Sequence, residues 1–202
     1  MICFRGVSKS FGEKMVLNQL DLSFPDQQTT CILGPSGCGK TTLLHLAAGL
    51  LKPDRGTITG FENRRKTFIF QENRLLAWLN GEENITFLGV KKERARAYLE
   101  KVGLKEDAQR RPGELSGGMQ RRLVIARALA FGGDYYFFDE PLQGLDPRTA
   151  GQILTLLKEE LQGKTALIIT HNPEEAQALG HHFMYVDGLP FRVLSKTWED
   201  FP

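Results

Sequence analysis

The sequence predicts an α/β fold with a mainly parallel sheet, and three observations carry that prediction. Gly34-Pro35-Ser36-Gly37-Cys38-Gly39-Lys40-Thr41-Thr42 fits the phosphate-binding pattern Gly-x-x-x-x-Gly-Lys-Ser/Thr without a gap. An apolar stretch at residues 29–33 precedes it and an apolar-periodic stretch at 43–48 follows it, which is the strand, loop and helix order the pattern needs. From Tyr135 onward, short apolar runs alternate with amphipathic stretches, the pattern of parallel strands with helices on both faces. Together they describe a P-loop NTPase with antiparallel strands at its N-terminal end and a small inserted helical subdomain.

Taken in order, residues 1–34 alternate apolar and polar positions, with turn signals at Phe11-Gly12-Glu13 and Pro25-Asp26. Two or three strands therefore lead to the loop. After the first helix, Gly56-Thr57-Ile58-Thr59-Gly60 and Lys66-Thr67-Phe68-Ile69-Phe70 read as strands, the second ending at Gln71. The character then turns helical, with Ala95, Tyr98, Leu99 and Val102 at the spacing of one helix face. Pro112-Gly113 interrupts this pattern, and a further helix starts at Ser116 with Met119, Leu123, Ala126 and Ala130 on one face. Residues 72–132 are thus the expected insertion within a single domain spanning 1–202. Tyr135-Tyr136-Phe137-Phe138 is a β-prone run ending in two acids, and its hydroxyls need partners if buried. Ala150, Ile153, Leu154, Leu157 and Leu161 mark a helix, and residues 165–170 another buried strand.

Composition narrows the function classes. At 41% hydrophobic and 25% charged, 202 residues are ordinary globular material, enough for one full core and a small insertion. A net charge of +2 gives no argument for nucleic acid or an anionic membrane. Cys3, Cys31 and Cys38 are an odd count with two of them at the phosphate loop, so a reducing compartment is expected and no disulfide framework. Residues 1–7 resemble a strand more than a signal peptide, and no apolar stretch approaches the roughly 18 residues that cross a bilayer. Any membrane part of the system is expected on another chain.

The chemistry starts at the loop. Gly34, Gly37 and Gly39 let bare amides approach an anion at the positive end of the next helix. Lys40 neutralises β and γ phosphate oxygens, Thr41 offers a hydroxyl to magnesium, and Thr42 reaches an inner phosphate. Asp139-Glu140 emerges at the carboxyl edge of the sheet, where one acid holds magnesium and the other takes a proton from attacking water. Gln71 and His171 follow strands and share that edge. Leu115-Ser116-Gly117-Gly118-Met119-Gln120 is either a second anion-binding helix start or a plain serine N-cap, and spacing alone leaves both open.

These motifs, in the order phosphate loop, Gln71, LSGGMQ, Asp139-Glu140, Leu145-Asp146 and His171, resemble the ATP-binding cassette ATPases over about residues 2–190. The resemblance implies ATP and Mg2+ as cofactors, with Gly34, Pro35, Ser36, Gly37, Cys38, Gly39, Lys40, Thr41 and Thr42 around the phosphates. It implies Phe11 stacked on adenine, Asp139, Thr41 and Gln71 at the metal, Glu140 as general base and His171 as the γ phosphate switch. It further implies that Ser116, Gly117, Gly118 and Asp146 meet nucleotide across a head-to-tail dimer of two ATPase subunits, a homodimer for a lone cassette. Phe11 stands where tyrosine is common in the family, and Gln143 where many members have serine. The segments 71–116 and after His171 are short for the family, implying a trimmed helical subdomain and no regulatory domain.

Phe70-Gln71-Glu72-Asn73-Arg74-Leu75-Leu76-Ala77-Trp78-Leu79-Asn80 resembles the importer branch for nitrate, sulfonates and taurine. That implies a transmembrane permease subunit, an extracytoplasmic solute-binding protein and residence at the cytoplasmic face of the membrane, with no direct contact to nucleic acid. Leu75, Leu76, Trp78 and Leu79 form an apolar cluster that either receives a partner helix or packs the subdomain. The competing reading is a soluble cassette ATPase acting on DNA or ribosomes. Arg121, Arg122 and Arg127 do not favour it, since they are expected on a solvated or dimer-facing helix surface.

Overall fold

The computed structural model describes residues 1–195. Strands β1 (Ile2–Phe11) and β2 (Lys14–Phe24) form an antiparallel hairpin that pairs Phe11 with Lys14 and Ile2 with Phe24. β4 (Arg55–Thr59) adds antiparallel to the other edge of β1, completing a three-stranded sheet.

The main sheet has six strands in the order β5 (Lys66–Ile69), β6 (Tyr135–Asp139), β7 (Thr165–Ile169), β3 (Thr29–Leu33), β8 (His182–Asp187) and β9 (Arg192–Ser195). All neighbours run parallel except β9, which pairs antiparallel with β8. Every residue of β3, β6 and β7 is buried, because unbroken apolar runs suit strands covered on both faces. The helices are α1 (Lys40–Ala47), α2 (Gly81–Thr86), α3 (Lys92–Lys101), α4 (Gly117–Phe131), α5 (Pro147–Glu160) and α6 (Pro173–Leu179).

The pleat divides the core in two. Cys31, Tyr136, Phe138, Ala166 and Ile168 pack toward α3, α4, α5 and α6. Ile32, Tyr135, Phe137, Leu167 and Ile169 pack toward α1 and the three-stranded sheet, against Val7, Leu17, Leu22 and Phe24. Helices thus lie on both faces, as expected, and on the second face α1 shares the cover with the antiparallel sheet. A helix packed along the strands is only about 10 Å wide, about two strand spacings, so α1 alone cannot cover six strands and β-structure covers the rest. The two tyrosines part accordingly: Tyr135 Oη lies 2.7 Å from Asp26 Oδ1 and 2.8 Å from Gly60 O, while Tyr136 faces the helical side.

Parallel order places the carboxyl ends of β3, β5, β6 and β7 on one edge. The phosphate loop, Gln71, Asp139-Glu140 and His171 all sit there.

Candidate functional site

Residue 39 begins α1 in the left-handed region (φ 102), and a Cβ on it would come within 2.7 Å of Val16 Cγ1. At residue 34 (φ 149) a Cβ would stand 2.1 Å from the Val186 carbonyl oxygen, so only glycine lets the loop lie against β8. Gly39 makes no side-chain cap, which leaves the first N–H groups of α1 open to an anion. Lys40 is buried at 5% exposure and its Nζ donates to the Gly34 and Pro35 carbonyls, 2.7 Å each.

Opposite the loop, Thr41 Oγ1 donates to Asp139 Oδ2 at 2.6 Å. A hydroxyl and a carboxylate this close are the hard oxygen donors a magnesium ion takes, and Gln71 stands beside them, so the residues fit that cation. Glu140 holds a left-handed backbone (φ 49), an unusual conformation for a residue with a Cβ, and its N–H donates to Ile169 O at 2.9 Å. Its Oε1 lies 2.8 Å from His171 Nε2. These groups line a cavity of ≈ 330 Å3 with Phe11, Ser36, Gly37, Gly39, Lys40, Thr42, Gln71 and His171. Phe11 is half exposed at its rim, with Lys9 Nζ 5.6 Å from the ring centroid.

Other expected residues lie elsewhere. Gly34, Pro35 and Cys38 back the loop without lining the cavity, and the buried Cys38 Sγ sits 4.0 Å from Lys40 Nζ. Ser116 N-caps α4, its Oγ accepting from Met119 N–H at 3.2 Å, and Gly117 opens to solvent. A Cβ on Gly118 would be 3.6 Å from Gly144 O. Asp146 N-caps α5 through Thr149 N–H at 3.0 Å. None of these four reaches the cavity of its own chain.

Sequence reasoning missed Lys14 and Val16, which join the lining from β2 and carry no local signal of it. It also missed Glu175, whose Oε2 accepts from Thr170 Oγ1 at 2.6 Å; burial pushes this carboxyl up, and the charge of Glu140 adds to it. The arginines of α4 need correction. Arg121 is only 3% exposed and donates to the carbonyls of Phe70 (2.7 Å), Asp139 (3.0 Å), Glu140 (2.5 Å) and Pro141 (2.9 Å). Arg122 bonds Val102 O and Gly103 O, and Arg127 bonds Arg74 O and Asn73 O. The expected solvated face is instead a row of clamps on loop carbonyls, because loop backbone buried against a helix needs donors that the loop itself lacks.

Beside Gln71, the loop at residues 76–80 is pinned from within. Asn84 accepts from Leu76 N–H at 2.9 Å and donates to Leu76 O, Leu79 O and Asn80 O. Leu75 packs on the core, whereas Trp78 stays 68% exposed, so the apolar cluster is split between both readings.

Residues 17–143 match the family described as ABC transporter. The chain belongs to this family. It is an ATP-binding cassette ATPase. It is 39% identical over 193 residues to the aliphatic sulfonates import ATP-binding protein SsuB 1 of Agrobacterium fabrum, covering 91% of this chain and 70% of that protein. It is 36% identical over 217 residues to the taurine import ATP-binding protein TauB of Pseudomonas aeruginosa, covering 96% and 82%. Among solved structures, the cassette MJ0796, a dimer in a post-hydrolysis state with ADP and Pi, superposes with a TM-score of 0.87 at 28% identity over 98% of both chains. No helix among the described residues is long and apolar enough to cross a membrane.

Proposed function

We propose that this cassette hydrolyses ATP to drive import of a small sulfonate-like or taurine-like solute through a separate permease, working as a head-to-tail dimer. One observation supports the dimer: Ser116 and Gly117 are exposed at a helix start outside the chain's own cavity, with Gly118 half-buried beside them, and in this reading a second copy brings them to nucleotide. Import of that solute class rests on the similarity to the sulfonate and taurine import proteins.

In this reading Phe11 stacks on adenine and Lys40 with the loop amides holds the phosphates. Thr41, Asp139 and Gln71 hold magnesium, which supplies charge neutralisation at the phosphate oxygens. Glu140 takes a proton from the attacking water, and His171, 2.8 Å from it, orients that carboxylate and meets the γ phosphate. Ser116 and the Gly117 and Gly118 amides close on that phosphate from the partner, with Asp146 beside them. ATP thus joins the protomers, and phosphate release loosens them. Trp78, on its pinned loop beside Gln71, offers the permease an apolar contact at the cytoplasmic face of the membrane. A solute-binding protein on the other side completes the system.

A mild-detergent pull-down of the tagged chain from its native cells, read by mass spectrometry, tests this. Recovery of a multispanning permease with a solute-binding protein is expected. Ribosomal or DNA-bound partners with no membrane protein would overturn the transport reading and leave the ATPase chemistry intact.

A further inference from the structure

Arg121 stands in the second turn of α4, shortly after Ser116, and its buried guanidinium reaches two separate stretches of backbone at once. Nη1 donates to Phe70 O at 2.7 Å and to Gln71 O at 3.3 Å, with Asn73 Oδ1 at 3.4 Å. Nη2 donates to Asp139 O at 3.0 Å and Glu140 O at 2.5 Å, and Nε donates to Pro141 O at 2.9 Å. The ladder between β5 and β6 ends at Ile69 and Phe138. Beyond it, this one planar fork links the backbone of Gln71 to that of Asp139 and Glu140.

Two observations separate this contact from ordinary loop packing. Among the described residues no carboxylate oxygen pairs with Arg121, and all its acceptors are neutral. Burying a cation on neutral dipoles opposes stability, so what the guanidinium adds is its rigid set of donors. Burial draws its pKa down, and the nearby charges of Asp139 and Glu140 oppose that fall. Independently, the backbone it holds is strained. Glu140 sits at φ 49, a conformation that a residue with a Cβ keeps only where its surroundings enforce it. Its N–H is tied to Ile169 O at 2.9 Å and its carbonyl to Arg121. Without the second tie the peptide after Glu140 is free to turn back to the right-handed region, which takes Oε1 away from His171 Nε2, now 2.8 Å distant. Arg74, at φ 42 on the Gln71 loop, is held in the same way, since Arg127 of α4 donates to its carbonyl at 2.9 Å.

We propose that Arg121 is a positioning residue for ATP hydrolysis: it holds the strained Glu140 backbone and the Gln71 backbone at a fixed spacing, and so sets the general base against the magnesium loop. Arg121 does not line the nucleotide cavity, so it acts through those two residues and not on the nucleotide. The inference rests on the roles read above for Gln71 and Glu140.

The test compares Arg121→Gln, Arg121→Lys and Arg122→Gln in the whole chain, with hydrolysis counted per ATP-binding site so that unfolded protein does not enter. Binding is read separately by titration with a fluorescent ATP analogue. Arg122 clamps Val102 O and Gly103 O from the same helix, outside the cavity, so its variant shows what losing a clamp does by itself. Because a misplacement of about 1 Å can cost about a hundredfold in rate, Arg121→Gln should lower kcat about thirtyfold with KM and nucleotide affinity within about twofold. Arg121→Lys, which keeps the charge but not the fork, should fall between that variant and the unaltered chain, and Arg122→Gln should keep full kcat. Full kcat per site in Arg121→Gln, or an equal loss in Arg122→Gln, overturns the proposal. If Arg121→Gln binds no ATP, Arg121→Lys decides, and full kcat per site there overturns it. Glu140→Gln, run alongside, separates the two levels: near-normal turnover there overturns the roles on which the proposal rests, whereas lost turnover beside an unaffected Arg121→Gln overturns the proposal alone.

Discussion

The phosphate loop and the LSGGMQ loop look alike in sequence: each is a glycine-containing turn with a hydroxyl residue that opens a helix. In three dimensions they differ at the first helical residue. Gly39 precedes α1 in a left-handed conformation with no side-chain cap, and the loop is pressed against Val186 and Val16, so its amides face a walled cavity. Ser116 precedes α4 in an extended conformation, spends its hydroxyl on the Met119 N–H, and leaves Gly117 facing solvent. One loop is completed by its own chain, and the other is capped by itself and faces solvent. A glycine-rich helix start thus becomes a site only through what the tertiary fold, or a partner, sets against it.

The comparison is broken most severely at the completed site. Glu140→Gln should lower ATP turnover about a thousandfold while ATP binding persists and a dimer accumulates. Phosphate release assays with sedimentation read both; near-normal turnover would remove Glu140 from the role of base. The next largest effect concerns Arg121, which joins the two regions, since it stands on the LSGGMQ helix and holds the backbone of Phe70, Asp139, Glu140 and Pro141. Arg121→Leu strands those carbonyls and should cost about 3 kcal/mol in a denaturant titration, whereas Arg121→Lys recovers part of it.

A smaller effect sharpens the difference. Ser116→Ala should cost about 1 kcal/mol of folding stability by losing the cap, and separately abolish ATP-dependent dimers. Ser116→Asp should restore the cap and still give no dimer, because it sets a carboxylate against phosphate. Dimers forming normally in either variant would leave this loop a cap alone.

The smallest effect is a pH slope. Burial, with Glu140 beside it, raises the Glu175 carboxyl above its ordinary value of 4.5 in the folded chain. Between the unfolded and folded values the native state binds more protons, so this contribution is full below the unfolded pKa and fades as pH rises through the folded one. Glu175→Gln should flatten that fall by a few tenths of a kcal/mol in melts compared across acidic pH.

Much was legible in the chain because it is local. The phosphate loop needs glycine at residues whose dihedrals or neighbours exclude a Cβ, and apolar runs such as Phe137-Phe138 and Ile168-Ile169 mark strands buried on both sides. Placing Gln71, Asp139, Glu140 and His171 at strand ends was enough to put them on one edge, since parallel strands share a direction. Only the tertiary structure could decide what meets what across long separations. It set Lys14 and Val16 at the cavity, laid β1, β2 and β4 beside α1 over one sheet face, and gave Tyr135 its acceptors in Asp26 and Gly60. It also turned Arg121 inward, although charge predicts a solvated helix face. Side-chain charge is a property of the residue, but the demand for a donor arises from carbonyls that folding brings together, and no stretch of sequence contains that demand.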